Sequence, residues 1–120
     1  MEKIKEMSID LETYSDVDIK KSGVYKYAES ESFEILLFAV SINGGDVIVY
    51  DLAYGDVLPN EILDAIVSND IIKWAFNASF ERICLSYWMK RVTTLTASTV
   101  TAFLRTPLAI TSILLHGTAQ

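Results

Sequence analysis

The chain has 120 residues, of which 51% are hydrophobic and 22% charged, and its net charge is −6. This length allows one small domain with a single core, and the composition excludes an unfolded chain. The negative charge argues against a protein that holds nucleic acid by bulk electrostatics, although divalent cations reverse the sign at a carboxylate-rich site. No apolar run reaches the roughly 18 residues of a membrane span. The N-terminus does not resemble a signal peptide, and the single cysteine favours the cytoplasm.

The first predicted strand covers residues 6–12, where acidic and apolar residues alternate. Because a strand sends alternate side chains to opposite faces, Asp10 and Glu12 are expected on one face and the apolar residues on the other. Two carboxylates held side by side suit a hard cation such as Mg²⁺ or Mn²⁺. The alternative interpretation is a half-exposed strand that carries two acidic residues without binding a metal.

An antiparallel hairpin is predicted further along the chain. Residues 14–32 are polar and of mixed charge, and they predict a loop with at most one helical turn. Two strands are then predicted, at 33–42 and 47–52. The tight-turn sequence Asn43-Gly44-Gly45-Asp46 joins them.

The second half begins with a predicted helix that Leu58-Pro59-Asn60-Glu61 opens. A fourth strand at 71–76 and a helix from Ala78 to about Arg91 follow, the helix with one apolar stripe. The order is that of an α/β chain: a three-stranded antiparallel meander, a helix, a parallel strand and a second helix. This order of elements resembles the start of an RNase H-like fold, and the predicted fold is incomplete.

The C-terminal segment has a different composition from the rest. Residues 92–120 contain eight threonines and no acidic residue, since Glu81 is the last acid of the chain. No capping or turn signal supports the fifth strand or the helix that this segment has room for. We therefore predict a partial domain over residues 1–91 and an irregular Thr-rich tail over 92–120.

A second group of residues lies where strand four meets the following helix. Asn77 is suited to cap that helix, Phe80 to fill the core, and Glu81 to occupy the first turn, where the helix dipole favours a carboxylate. This purely structural interpretation stays open. The alternative is that Glu81 approaches Asp10 and Glu12, because a two-metal site needs several oxygen ligands.

These two groups resemble the first two motifs of the DEDD-type 3′–5′ exonucleases. The closer resemblance is to the proofreading domains of phage-type family A DNA polymerases, through residues 10–15, 23–27 and 77–81. It spans roughly residues 7–90. The resemblance implies a 3′–5′ exonuclease domain that removes nucleotides from the 3′ end of single-stranded DNA with two Mg²⁺ or Mn²⁺ ions.

By this resemblance, Asp10, Glu12 and Glu81 would be both the catalytic residues and the metal ligands. Asp10 would bridge the two ions, Glu12 would bind one, and Glu81, where many relatives have aspartate, would complete the second site through water. Four further residues would contact or shape the terminal nucleotide: Thr13, Tyr14, Asn77 and Phe80. For Tyr14, and for Tyr27 of the 23–27 motif, an ordinary surface aromatic is the open alternative.

The third motif of these enzymes, a Tyr or His followed four residues later by Asp, is absent because no acid follows Glu81. A polymerase domain is absent too, and His116 is interpreted as a bystander. We therefore expect little or no activity from the isolated chain.

The codons of residues 115–120, when they are read one base earlier, permit the sequence Ser-Trp-(Tyr/His)-Cys-Thr. This sequence resembles a segment of the phage polymerases. We therefore predict a truncated chain in which the natural reading frame is lost after about Arg91. The alternative is a genuine short protein.

Two other functions remain open from the sequence. A stand-alone ribonuclease of the same superfamily would use the same carboxylates. A non-catalytic binding or interaction module would need none of them.

Overall fold

The computed structural model describes residues 3–92 and 110–112. Helices and strands are mixed along this part of the chain, as expected for the α/β class, with a β-hairpin in its first half. A short 3₁₀ turn, Leu52–Tyr54, follows the third strand. The other elements are β1 (Glu6–Tyr14), α1 (Ile19–Glu29), β2 (Glu34–Ile42), β3 (Val47–Asp51), α2 (Asn60–Val67), β4 (Ile72–Ala75), α3 (Ala78–Val92) and β5 (Ile110–Ser112).

The described strands form one mixed sheet in the order β3-β2-β1-β4-β5. β2 is antiparallel to both β1 and β3, which confirms the predicted meander. β4 is parallel to β1 and β5, which confirms the predicted helical crossover. This architecture is compatible with an RNase H-like fold, but other α/β folds share it.

The core lies on one face of β1. Met7, Ile9 and Leu11 are buried there, while Asp10 and Glu12 on the opposite face are exposed, as the alternating pattern predicts. The buried residues of α2 belong to the same core cluster, as do Ala78, Ile83, Cys84 and Leu85 of α3. Burial of this apolar surface is the main stabilising contribution to the fold.

The loop predicted for residues 14–32 is wrong, because α1 occupies most of it. The side chain of Asp18 caps this helix by accepting a hydrogen bond of 2.9 Å from the backbone N–H of Lys20. Gly23 interrupts it with φ 85° and ψ 168°, a conformation essentially reserved for glycine. Because Gly23 divides the helix into two short pieces, the sequence shows no continuous helical periodicity, and the segment resembles a loop.

The hairpin prediction is confirmed in detail. Asn43 and Gly44 both have positive φ, 53° and 74°, as a type I′ turn requires. The backbone N–H of Gly45 donates to the carbonyl of Ile42 at 2.9 Å and closes the turn.

The last strand lies within the segment 92–120. The backbone of β5 pairs in parallel with β4, from Lys73 opposite Ile110 to Ala75 opposite Ser112. The rest of the predicted tail, from residue 93 to 109 and from 113 to 120, lies outside the described residues. The predicted change of reading frame concerns those residues and stays a prediction.

Candidate carboxylate site beside the central strands

The site lies where β4 ends beside the middle of β1. Ile9 of β1 pairs with Ala75, the last residue of β4, so the chain leaves β4 level with Asp10. α3 begins at Ala78. The topology therefore places the N-terminal end of α3 beside Asp10.

Asn77 forms the predicted cap of α3. Its side-chain oxygen accepts a hydrogen bond of 3.4 Å from the backbone N–H of Phe80. Glu81 follows within the first turn and is only 4% exposed. Since Cys84 and Leu85 are also buried and lie three and four positions further on, Glu81 belongs to the core-facing stripe of α3.

The environment of Glu81 disfavours its charged form. Burial is the main cause that raises the pKa of Glu81 from 4.5 to about 7, and the negative charge of Asp10 raises it further. A hydrogen bond with the backbone of Asn77 acts in the opposite direction. Among the described residues, no positively charged side chain contributes to this pKa. The charge of Asp10 therefore adds to the effect of burial in disfavouring the charged form of Glu81.

The three predicted carboxylates lie in different environments. Glu12 is exposed on the same strand face as Asp10, whereas Glu81 belongs to the buried stripe of α3. Within residues 3–92 and 110–112, no three His, Cys, Asp or Glu side chains are grouped closely enough to hold a metal ion. The three-carboxylate cluster that the sequence predicts thus stays a prediction.

Tyr27 links two of the four predicted nucleotide-contacting residues, Thr13 and Phe80. The hydroxyls of Thr13 and Tyr27 share a hydrogen bond of 2.9 Å. The Tyr27 ring lies 6.2 Å from the ring of Phe80 and packs edge-on against Phe33 at 5.8 Å. Tyr27 is thus a half-buried part of the core rather than an isolated surface aromatic. Tyr14, in contrast, is 51% exposed.

Oxygen ligands are what Mg²⁺ and Mn²⁺ prefer in proteins. Asp10 and Glu81 offer carboxylate oxygens only, and their mutual repulsion is the kind of strain that a divalent cation between them would relieve. The two residues therefore fit a hard cation. The buried thiol of Cys84 offers no competing soft ligand, because burial and the charge of Glu81 raise its pKa to about 12.

Comparison with known proteins gives one informative relative. No protein-family model matches the chain. A DNA polymerase of Bacillus phage SP02 is 52% identical over 83 residues, which are 69% of this chain and 13% of the polymerase. The chain thus spans about an eighth of the length of that relative. The identity supports a relation to a phage DNA polymerase.

Helix length bears on membrane insertion. In the part of the chain that the structure describes, no helix is both long enough and apolar enough to cross a bilayer.

Proposed function

We propose that this chain carries the first two carboxylate motifs of a metal-dependent 3′–5′ proofreading exonuclease belonging to a phage-type DNA polymerase. The observation that carries the proposal is the topology: β4 ends at Ala75, which pairs with Ile9 next to Asp10, and the chain then enters α3, whose first turn holds the buried carboxyl group of Glu81. The relative, a phage DNA polymerase, supports the same assignment. The substrate would be the 3′ end of single-stranded DNA.

Asp10 and Glu81 would hold the cation, and Glu12 would add a further oxygen from the same strand face. When bound, such a cation acts as a Lewis acid on the scissile phosphate and lowers the pKa of water. Since the pKa of Glu81 is about 7, part of the Glu81 population carries a proton at neutral pH. Binding of a cation would therefore release a proton from Glu81.

The third motif of such exonucleases needs an acidic residue after Glu81, and this sequence has none. We therefore expect the isolated chain to bind a divalent cation with little or no hydrolysis. Magnesium-dependent digestion of a single-stranded oligonucleotide, lost in Asp10→Ala, would show instead that the chain is a complete enzyme.

Titration calorimetry with Mn²⁺ tests the site directly. We expect weak binding near pH 6.5 in the unchanged chain, accompanied by proton release seen as a dependence of the heat on the buffer. Asp10→Asn should abolish the binding, Glu12→Gln should weaken it, and Glu81→Gln should remove the proton release. Glu61→Gln is the matched control, because Glu61 is an exposed carboxylate in the first turn of α2. Equal binding by the Asp10 variant and the control would refute the proposal.

A further inference from the structure

The outer edge of β3 carries backbone groups that face away from β2. In an antiparallel pair, every second residue directs its N–H and C=O to the partner strand, and the residues between them direct theirs outward. The backbone N–H of Asp51 donates to the Asp56 carboxylate at 2.7 Å, and the Asp51 carbonyl accepts from the backbone N–H of Asp56 at 3.1 Å. Asp51 therefore faces outward, and by the same alternation Val49 and Val47 face outward too.

The chain itself closes both ends of this edge. Asp56 occupies the outward groups at one end. At the other end, the N–H of Gly45 closes the turn between β2 and β3, and its carbonyl accepts a hydrogen bond of 2.7 Å from the Ser41 hydroxyl. β3 is the outermost strand on this side of the sheet that the structure describes. The outward N–H and C=O groups of Val47 and Val49 thus lie between two closed ends.

Two copies of this edge complement each other when they pair antiparallel about a two-fold axis at Ile48. Val47 of each copy then lies opposite Val49 of the other, and the two residues exchange their N–H···O=C hydrogen bonds. An axis at Val49 would place Val47 opposite Asp51, whose groups are already bonded. An axis at Val47 would place Val49 opposite Gly45, whose groups are also bonded. Only the axis at Ile48 pairs the outward groups of both valines.

The side chains favour the same register. Val47 is 65% exposed and Val49 is 55% exposed, and each would cover the other across the two-fold axis. Ile48, which is 45% exposed, would meet its own copy on the opposite face. Cross-strand pairs of β-branched residues such as these stabilise a sheet.

The charges at the ends of the edge disfavour a parallel pair. Asp46 precedes β3, and Asp51 ends it. In a parallel pair in register, each carboxylate would lie beside the same carboxylate of the other copy, which is destabilising. In the antiparallel pair, Asp46 lies level with Tyr50 and Asp51 lies level with Gly45, so neither of these carboxylates is directly opposite another.

We propose that the outer edge of β3 is a homodimer surface through which two copies of the chain pair in this single antiparallel register. The two sheets would then continue into each other across the dimer. Because the edge is short, we expect a weak dimer whose fraction depends on protein concentration. The surface is separate from the carboxylate site, so the proposal does not depend on the proposed function.

Disulfide trapping of the full chain tests the register. Residues that face each other in a non-hydrogen-bonded antiparallel pair have Cα atoms about 4.5 Å apart, a separation that a disulfide accommodates. Ile48→Cys, oxidised with glutathione disulfide, should therefore give a covalent dimer on a non-reducing gel about tenfold faster than Val49→Cys. Val49→Cys is the matched control, because Val49 lies opposite Val47 and not opposite its own copy. Cys84 is buried and is present in both variants.

An NMR dilution series of the unchanged chain tests the surface without any substitution. The amide shifts of Val47 and Val49 should change most with protein concentration, because their N–H groups gain a partner. Equal trapping of the two cysteine variants, or no trapping of Ile48→Cys, overturns the proposed register. Concentration-dependent shifts that are largest outside β3, or a chain that stays monomeric at every concentration, overturn the homodimer surface. Binding of an unrelated extended peptide to a β3 edge that never pairs with a second copy overturns it as well.

Discussion

At the residue scale, the buried carboxyl group of Glu81 is the most strongly perturbed acid near the site. Its pKa is about 7, against an ordinary value of 4.5, because it is desolvated and faces Asp10. The protonated form is therefore favoured in the folded chain. Binding and catalytic sites often retain residues that lower the folding stability at neutral pH.

This shift predicts how stability depends on pH. Between about pH 4.5 and pH 7 the folded chain keeps a proton on Glu81 that the unfolded chain loses, so the free energy of unfolding falls as the pH rises. Glu81→Gln should remove this slope and should be more stable than the unchanged chain at pH 8, by up to about 3 kcal/mol. Urea unfolding over this pH range measures the effect.

Glu61→Gln again serves as the control and should keep the slope of the unchanged chain. A saturating concentration of Mn²⁺ should reduce the loss of stability at high pH, because the cation replaces the proton. A slope that persists in Glu81→Gln would assign the pH dependence to other groups.

At the element scale, the turn between β2 and β3 also fastens the N-terminal segment. The side-chain oxygen of Asn43 accepts hydrogen bonds from the backbone N–H groups of Lys5, at 2.8 Å, and Glu6, at 3.1 Å. Its side-chain amide donates to the carbonyl of Lys3 at 2.9 Å. One turn residue thus stabilises both the hairpin and the entry to β1, the strand that carries Asp10.

Asn43→Gly isolates this contribution, because glycine tolerates the positive φ of 53° and removes only the side-chain hydrogen bonds. We expect a loss of about 1 to 2 kcal/mol in the free energy of unfolding. Asp46→Ala, an exposed position just after the same turn, should change it by less than about 0.5 kcal/mol. Equal losses in the two variants would mean that the side-chain bonds of Asn43 contribute nothing.

At the scale of the whole molecule, the sheet has an apolar edge. β3 is the last strand on one side of the described sheet, and its residues Val47, Ile48 and Val49 are all exposed. An edge strand of this kind offers unpaired backbone groups to another chain. The short strand ends at Asp51, a charge that limits such pairing only at that end.

Val49→Lys should therefore reduce self-association, because a charged side chain in the middle of an edge strand opposes pairing with a second edge. Light scattering over a range of protein concentrations measures this. Val67→Lys on α2 is the matched control, since Val67 is an exposed valine away from any sheet edge. Association that Val49→Lys leaves unchanged would exclude the β3 edge as its cause.

Much of the fold follows from local sequence rules, and less of the site does. The strand alternation at Asp10 and Glu12, the turn at Asn43 and the cap at Asn77 each depend on a few neighbouring residues, so the sequence predicts them. The helix α1 escapes prediction because Gly23 interrupts its pattern. The cavity that Ser8, Ser41 and Phe76 line escapes it because the cavity depends on strand register, which no single segment encodes.

What the sequence by itself determined is therefore most of the elements, without α1 and β5, and the identity of the candidate carboxylates, because alternation, turns and caps are short-range properties of the chain. Only the tertiary structure decided that Glu81 is buried and affected by the charge of Asp10, that Tyr27 joins Thr13 to Phe80, and that Phe76 borders a cavity with small residues of β1 and β2. The physical reason is that burial and electrostatic interaction depend on distances between segments far apart in sequence. Packing of α3 and registration of β1 against its neighbours set those distances.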